Sequence, residues 1–370
     1  MERADILIIG GGVIGCATAL QASQDFPDKR IVLLEKNGAV GLEASGRNSG
    51  VLHTGFHHSA GSLKEKLANK GSRLVKQYAL EKGIPLLECG MLIVIPRISS
   101  FREAFDDVGL LKEMYLNGRN QRLRFSILTK KDIKKIEPNV KAVAGIFLPE
   151  VAVIDFAAFV ESLYQDTLAA EAAFFFNTKV ETIRTENGNF IINDRFATKS
   201  VVNCAGMYSD IVAGMIGASY KQCPIRGEYY QIIGSKKNIV SRLVNPAVPP
   251  GHLTKGIHFS PRTDGKMFIG PSFKALDDRD NYEDNKTPPE IFLESVRSFV
   301  PDLSVNDLEW GYSGIRAKLD INRGSDLDFI IKQDTVNPTM INNIGINSPG
   351  LSSSLAIAQM NCDLLKNNTA

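Results

Sequence analysis

The hydrophobic pattern at the start of the chain predicts a buried strand that turns sharply into a helix. Four apolar residues at positions 6–9 precede three glycines, and apolar residues then recur at helical spacing from Val13. A continuous apolar run of this length is typical of a parallel strand buried on both faces. Gly10 permits the turn, Gly12 lets a phosphate approach the backbone, and Gly15 lets helix and strand pack closely. The pattern therefore predicts a pyrophosphate-binding turn with helix amides facing the anion.

Further apolar runs predict an alternation of strands and helices. Residues 31–34 form a second strand that ends on Glu35, where a carboxylate would bind the ribose hydroxyls of an adenosine, with Lys36 beside the same adenosine. Helical spacing recurs from Ser62 to Gly83 and from Asp155 to about residue 172. Residues 99–140 are predicted as helices of an inserted segment. Additional strands are predicted at residues 91–95, 173–176, 178–183, 190–192 and 201–203.

From Tyr229 the pattern changes to short antiparallel strands, which predicts a second sheet. The fold class is therefore α/β. A Rossmann-like dinucleotide-binding domain with a doubly wound parallel sheet is expected from residues 1–88, 150–218 and 310–370. A second, mainly antiparallel α+β domain for the substrate is expected from residues 89–149 and 219–309.

Composition narrows the class of protein. The chain has 370 residues, 44% of them hydrophobic, and a net charge of +2, which argues against nucleic acid as the main partner. The five cysteines lack the spacing of a metal site, so we expect reduced thiols, a cytoplasmic location and no metal. We find neither a signal peptide nor a window resembling a membrane span, which leaves peripheral membrane contact open.

Three separated segments suit a cofactor longer than NAD. Residues 10–15, 44–53 and 348–354 are rich in Gly, Ser and Asn and would present backbone donors to an anionic ligand. A nicotinamide dinucleotide would need chiefly the first segment, whereas FAD would need all three. The helix predicted from Gly350 would direct its amides at the flavin edge that becomes negative on reduction. The pattern favours FAD; an NAD dehydrogenase and a simple serine N-cap at this helix are the alternatives.

The same motifs resemble those of the D-amino-acid oxidase superfamily of flavoproteins. The resemblance covers essentially the whole chain and rests on residues 10–15, on residues 202–206 and on the glycine loop before the last helix. Within that superfamily, residues 45–55, 224–230, 256–262 and 348–351 most resemble L-2-hydroxyglutarate oxidases and dehydrogenases. The resemblance implies noncovalent FAD, because no cysteine matches a known covalent attachment point.

The resemblance also implies three catalytic residues. Arg316 stands where relatives keep an arginine for the substrate carboxylate, which a planar guanidinium can bind bidentately. His258 stands where relatives keep a substrate-facing aromatic residue, and His53 falls in the loop that passes the flavin. Either imidazole could accept the hydroxyl proton as hydride leaves the substrate.

Three further residues are candidate substrate ligands, and a longer set is expected to bind the cofactor. Arg226 and Arg262 could bind the second carboxylate of a dicarboxylate, although structural ion pairs with Glu228 or Asp264 explain them equally well. Tyr230 lies in the same motif as Arg226. The residues expected to contact FAD are Gly10, Gly12, Val13, Ile14, Gly15, Glu35, Lys36, Ser45, Gly46, Arg47, Asn48, Ser49, Gly50, Val51, Val180, Ala205, Gly206, Gly314, Arg316, Gly350, Leu351, Ser352 and Ser353.

The resemblance and these residues together predict an FAD-dependent oxidation of a small 2-hydroxy acid. L-2-hydroxyglutarate is the expected substrate, 2-oxoglutarate the product, and oxygen or a quinone the electron acceptor. An amino-acid oxidase of the same superfamily is one alternative, and it would need no base for a hydroxyl proton. A flavin-binding redox sensor without a substrate is an alternative of another class.

Overall fold

The computed structural model describes residues 1–96, 101–320, 322 and 325–367. The predicted start of a helix at Ser99 lies outside this part of the chain. In chain order the strands and helices are β1 (Glu2–Ile9), α1 (Val13–Asp25), β2 (Ile31–Leu34), β3 (Val51–Leu52), α2 (Leu63–Lys82), β4 (Leu86–Leu87), β5 (Met91–Ile95), α3 (Phe101–Asn120), β6 (Ser126–Thr129), α4 (Lys130–Ile136), β7 (Ala144–Leu148), β8 (Ala152–Ile154), α5 (Phe156–Ala169), β9 (Ala173–Phe175), β10 (Ile183–Glu186), β11 (Asn189–Ile192), β12 (Phe196–Asn203), α6 (Ser209–Gly214), β13 (Gln222–Ile232), β14 (Leu243–Pro246), β15 (His258–Pro261), β16 (Met267–Gly270), β17 (Lys274–Ala275), α7 (Pro289–Arg297), β18 (Leu308–Leu319), β19 (Ile330–Gln333), β20 (Met340–Ile344) and α8 (Gly350–Lys366).

The first sheet is built around β1. Its order is β10-β11-β12-β1-β2-β9, with β20 beside β12 and β19 beyond β20. β1 pairs in parallel with both β12 and β2, and β2 pairs in parallel with β9. Leu7, Ile8 and Leu33 have no exposed surface, and burying each such side chain stabilises the fold by roughly 1.5–3 kcal/mol. Residues of α1, α2, α5 and α8 form one core with this sheet, and residues of α6 contribute to another. The predicted doubly wound parallel sheet is confirmed.

The carboxyl ends of three parallel strands coincide. Ile9 at the end of β1 pairs with Leu34 of β2 and with Asn203 of β12. The residues that follow these strand ends therefore meet at one edge of the sheet, which is where open α/β sheets bind their ligands.

The second sheet is mainly antiparallel, as predicted. Its order is β17-β13-β16-β15-β14-β5-β7-β6, and β18 pairs with β13; the parallel exception is β14 with β5. The long β13–β18 ladder sets Gly227 opposite Gly314 and Ile225 opposite Arg316. A three-stranded sheet, β3-β8-β4, is also present. The residue bounds of the two domains stay a prediction.

Two local predictions were wrong. Residues 178–182 are not a strand, because Thr178 N–H donates to the Glu35 carbonyl at 2.8 Å and the backbone crosses beside β2; the strand begins at Ile183. Residues 99–140 are not all helical where described, since β6 pairs with β7. In the described part of the chain, we find no helix with the length and hydropathy needed to cross a membrane.

Candidate active site

The glycine turn after β1 forms as the sequence predicts. Gly10 has φ of +107°, a conformation that favours glycine, and a Cβ there would lie 2.5 Å from the Cys204 carbonyl oxygen. A Cβ on Gly15 would overlap the Gly10 carbonyl, so only glycine allows α1 to pack this closely on the turn. α1 begins at Val13 with Gly12 as an N-cap that has no side-chain hydrogen bond. The turn thus brings a helix N-terminus to the edge of the sheet, where its dipole favours an anion.

Glu35 is fixed at the end of β2. Its carboxylate is buried and accepts hydrogen bonds from Gly11 N–H at 2.6 Å and from Asn37 N–H at 2.8 Å. Lys36 forms an ion pair with Glu43, and its ammonium lies 4.3 Å from the centroid of the Tyr208 ring. These side chains line one end of an extended cleft.

The cleft has two connected parts. The part beside Glu35, Lys36 and Val180 has an empty volume of about 1360 Å³, and the part beside Arg316 has about 1450 Å³. The two parts share lining residues at the glycine turn, the 44–45 segment and the end of β12, so one long ligand can occupy both. The predicted cofactor residues that line it are Gly10, Gly12, Val13, Ile14, Glu35, Lys36, Ser45, Arg47, Asn48, Ser49, Val51, Val180, Ala205, Gly206, Gly314, Arg316, Gly350, Leu351 and Ser352.

Four predicted cofactor residues shape the cleft without lining it. Gly15 packs α1 against the turn, as described above. A Cβ on Gly46 would overlap the Gly41 carbonyl oxygen. Gly50 has a φ of +70°, and a Cβ at this position would lie 2.6 Å from the Ile154 carbonyl oxygen. Ser353 is fully buried in α8.

The first turn of α8 closes the cleft at the end opposite Glu35. Ser352 Oγ accepts a hydrogen bond from His53 N–H at 2.8 Å and donates to the Val51 carbonyl at 3.1 Å. This hydroxyl therefore ties α8 to β3 and to His53 directly after it. Gly350 and Leu351 line the cleft at the start of the helix, where the helix dipole is positive.

Both predicted histidine bases line the part of the cleft near Arg316. Burial, with a smaller contribution from the nearby Lys255 ammonium, holds the pKa of His53 well below its usual value. Burial also lowers the pKa of His258 to about 4, although its contact with the Gly256 carbonyl opposes the shift. His258 Nδ1 lies 3.0 Å from the Gly256 carbonyl oxygen, so the proton of the neutral ring is on Nδ1 and Nε2 is an acceptor. Both rings are therefore neutral at pH 7 and able to take up a proton.

Arg316 reaches the same part of the cleft from β18. Its guanidinium lies across Gly227, where any Cβ would overlap it, and donates a 3.4 Å hydrogen bond to the Ser272 carbonyl. Among the described residues, no carboxylate forms an ion pair with Arg316. The guanidinium is thus free to bind an anionic ligand.

Comparisons with known proteins agree with this geometry. The family model of FAD dependent oxidoreductases matches residues 5–364. The chain belongs to this family. Its cofactor is FAD, and the long cleft with a glycine turn at its centre and helix N-termini along its walls fits that group.

Relatives of this FAD-dependent oxidoreductase include named dehydrogenases and an oxidase. L-2-hydroxyglutarate dehydrogenase of Indibacter alkaliphilus is 28% identical, over 97% of this chain and 98% of that protein. The mitochondrial L-2-hydroxyglutarate dehydrogenase of Arabidopsis thaliana is 30% identical, over 97% and 82%. The solved structure of L-alpha-glycerophosphate oxidase from Mycoplasma pneumoniae, with FAD bound, superposes with a TM-score of 0.88 at 27% identity, covering 99% of this chain and 95% of that one.

The oxidoreductase has a cleft lysine that the sequence reasoning missed. Lys255 lines the cleft and donates a 3.2 Å hydrogen bond to Ser348 Oγ. Burial lowers the pKa of its amine to about 7. The nearby Asp326 is already engaged by Lys64 and Lys318, each at 2.6 Å, and Lys255 has no ion pair within the described ranges. A lysine directly before the 256–262 motif was the available signal in the sequence.

Tyr229 was also missed, because the prediction favoured its neighbour Tyr230. Tyr229 lines the cleft, and its ring stacks on Tyr312 with centroids 4.6 Å apart. Tyr230 instead points to the opposite side of β13, where its hydroxyl donates to the Thr287 carbonyl at 2.9 Å and its ring packs against Trp310. A β-bulge between Tyr229 and Tyr230 interrupts the ladder at this point.

The two remaining substrate candidates have structural roles. Arg226 has no exposed surface, and it forms an ion pair with Glu228 at 2.9 Å. Its guanidinium also donates to carbonyls of residues 281, 284 and 285. Arg262 donates to the Asn48 carbonyl at 2.8 Å and to the Tyr312 hydroxyl. Neither arginine lines the cleft, so we withdraw Arg226, Arg262 and Tyr230 as substrate ligands.

Proposed function

We propose that this FAD-dependent oxidoreductase oxidises L-2-hydroxyglutarate to 2-oxoglutarate. The observation that carries the proposal is the composition of one part of the cleft: two half-buried cationic side chains, Arg316 and Lys255, lie beside two buried neutral imidazoles, His53 and His258. A substrate with two carboxylates and one hydroxyl matches these groups in number and charge. The relatives named L-2-hydroxyglutarate dehydrogenase support the same substrate.

Each side chain has a defined task in this proposal. Arg316 binds the carboxylate next to the reacting carbon bidentately and so orients the C2 hydrogen. Lys255 binds the distal carboxylate in its protonated form. His258 through Nε2, or His53, accepts the hydroxyl proton. The flavin, when bound, supplies the hydride acceptor N5, and oxygen or a quinone is the proposed final electron acceptor.

Oxidation of glycerol 3-phosphate is a second candidate. This molecule is also a secondary alcohol with an anionic group, and a paired Arg316 and Lys255 would suit a phosphate dianion. The similarity to L-alpha-glycerophosphate oxidase favours it. Glycerol 3-phosphate, however, has no carboxylate next to the reacting carbon, so it gives Arg316 no group to bind at that position.

An anaerobic absorption spectrum of the purified holoenzyme tests both candidates. We expect L-2-hydroxyglutarate to bleach the flavin bands, whereas its D enantiomer, the matched control, leaves them oxidised. Bleaching by glycerol 3-phosphate alone would select the second candidate. Bleaching by amino acids alone would show an amine oxidase, and an oxidised spectrum with every substrate would leave a redox sensor.

A further inference from the structure

Residues 276–287 link β17 of the second sheet to α7. None of the predicted cofactor residues lies in this segment. Residues 277–284 carry five acidic side chains and a single basic one, Arg279, and a run of such charges is typical of a solvated loop. In the structure, however, the 276–287 segment makes hydrogen bonds to β13 on one side and to α6 on the other.

Buried side chains of the second sheet hold one side of the 276–287 segment. Arg226 donates to its backbone carbonyls, as described above, and the Thr287 N–H donates to the Glu228 carboxylate at 3.2 Å. Ser313 on β18, the strand paired with β13, donates through its hydroxyl to the Tyr282 carbonyl. Arg226, Glu228 and Ser313 have no exposed surface. The segment is therefore fixed to the second sheet by partners that water does not reach.

Two polar pairs hold the other side of the segment. Arg279 donates two hydrogen bonds to the Asp210 carboxylate on α6, at 2.6 Å and 2.9 Å, and a third to the Met207 carbonyl. The Tyr208 hydroxyl donates to the Asp280 carboxylate. We call the pairs Arg279–Asp210 and Tyr208–Asp280 the latch. Tyr208 and α6 follow β12 of the first sheet, so the latch and Arg226 together stretch the 276–287 segment between the two sheets.

Tyr282, between the two sets of contacts, faces the cofactor cleft. It lines the part of the cleft beside Glu35, and the Arg47 guanidinium lies 4.6 Å from the centroid of its ring. Arg47 itself lines the other part of the cleft, and its hydrogen bonds to the carbonyls of Leu42 and Ser313 are long, at 3.4 Å each. Within the described ranges, Arg47 forms no ion pair. Its charge is thus left for an anionic group of the cofactor, while the tyrosine ring restricts where the guanidinium can lie.

We propose that Tyr282 is a positioning residue for FAD, acting through Arg47, and that the latch slows the release of the cofactor. The latch fixes the wall of the cleft that carries Tyr282, so FAD bound along this wall cannot displace it without breaking the Arg279–Asp210 and Tyr208–Asp280 pairs. The Tyr282 ring keeps Arg47 directed at the cofactor by a cation–π contact. The proposal concerns the cofactor that the family uses and does not depend on the identity of the substrate.

The rate of FAD release from the holoenzyme tests the latch. The holoenzyme is diluted into buffer with a phosphodiesterase, which cleaves released FAD to FMN and AMP, and the rise in flavin fluorescence gives the rate constant. Arg279→Gln should speed release on the order of 10-fold, because hydrogen bonds between charged groups are lost. Tyr208→Phe, which keeps every charge, should speed it by a smaller factor. The matched control is Arg242→Gln, which should release FAD at the wild-type rate: Arg242 pairs with Glu137 at 2.9 Å and its side chain is 21% exposed against 23% for Arg279, but it lies outside the 276–287 segment.

Two substitutions of Tyr282 test its role. Tyr282→Ala should speed FAD release on the order of 10-fold, whereas Tyr282→Phe, which keeps the ring under Arg47, should behave like wild type. The free energy of unfolding of each apoprotein in urea separates a general loss of stability, expected to be alike in Arg279→Gln and Arg242→Gln, from the loss of the latch. Wild-type release from both latch variants or from Tyr282→Ala would overturn the proposal. Equal acceleration by Arg242→Gln, or equal rates in Tyr282→Phe and Tyr282→Ala, would do the same.

Discussion

At the scale of a single residue, Arg316 carries the strongest prediction. Arg316→Ala should lower kcat/KM for L-2-hydroxyglutarate on the order of 100-fold, because two hydrogen bonds between charged groups are lost at about 1.5–3 kcal/mol each and water replaces them only in part. Arg316→Lys should recover only a fraction of this loss, since an ammonium cannot bind a carboxylate bidentately. Steady-state kinetics on variants that retain the FAD spectrum provide the measurement. Unchanged turnover and affinity in Arg316→Ala would refute the mechanism.

Lys255 should make substrate binding depend on pH near neutrality. Its lowered pKa, about 7, means that the amine is protonated below this pH and neutral above it. Because an anionic substrate binds the protonated form, KM should rise as the pH increases through about 7. Lys255→Arg, which stays protonated, should remove this rise, while Lys255→Met should show a high KM throughout. A rise of the same size in Lys255→Met would assign the pH dependence to another group.

Because the two candidate bases are buried histidines with lowered pKa values, the activity should persist at mildly acidic pH. Since the pKa of His258 lies near 4 and that of His53 well below 6.5, a base at either position stays unprotonated at pH 6, and kcat/KM should not fall between pH 7 and 6. Replacing the true base by glutamine should lower kcat on the order of 10²–10⁴-fold. Steady-state kinetics of the His53→Gln and His258→Gln variants would identify which of the two histidines is the base. Full activity in both variants would favour an amine substrate.

At the scale of structural elements, the Arg226–Glu228 ion pair should stabilise the fold without contributing to substrate binding or catalysis. Arg226 on β13 holds the segment of residues 281–285 through its backbone carbonyls. Arg226→Met leaves Glu228 buried without its cation, and loss of one partner of a buried pair costs about 3–5 kcal/mol. We expect a lower free energy of unfolding in urea, an unchanged KM, and partial recovery in Arg226→Met/Glu228→Gln. A raised KM with normal stability would restore Arg226 as a substrate ligand.

The elements that the sequence predicts well are those whose cause is local. β1, α1 and β2 follow from apolar runs and a glycine turn, and α2 follows from Ser62, whose hydroxyl accepts the Glu65 N–H. β6 and the loop at residues 178–182 were mispredicted because pairing with β7 and a hydrogen bond to Glu35 decide them. The roles of Arg226 and Tyr230 likewise depend on the faces of β13, whose β-bulge no pattern of hydrophobic residues reveals.

At the scale of the whole molecule, the cofactor cleft joins segments that are far apart in the chain. The glycine turn, Glu35, Val180, Arg316 and the start of α8 all line it, and they are separated by up to about 340 positions. Most of these segments could be predicted from the sequence, because they lie in or next to motifs rich in glycine or serine. Lys255 was missed although it directly precedes the 256–262 motif, because its place in the cleft depends on the long segment between β14 and β15 reaching the residues just before α8.

Removal of FAD should therefore destabilise the entire protein and not one segment. A ligand that binds only the folded state adds about 4 kcal/mol of stability at a concentration 1,000 times its Kd, so the Tm of the apoprotein should rise steadily as FAD is added. Because the cleft is lined by both sheets, we expect a single calorimetric transition to move as a whole in the holoenzyme. ADP, which lacks the flavin half of FAD, should bind more weakly and therefore raise the Tm less at the same concentration. If ADP raised the Tm as much as FAD at the same free concentration, or if FAD shifted only one of two transitions, the proposed contacts of Arg316, β18 and α8 with the cofactor would not contribute to the stability of the fold.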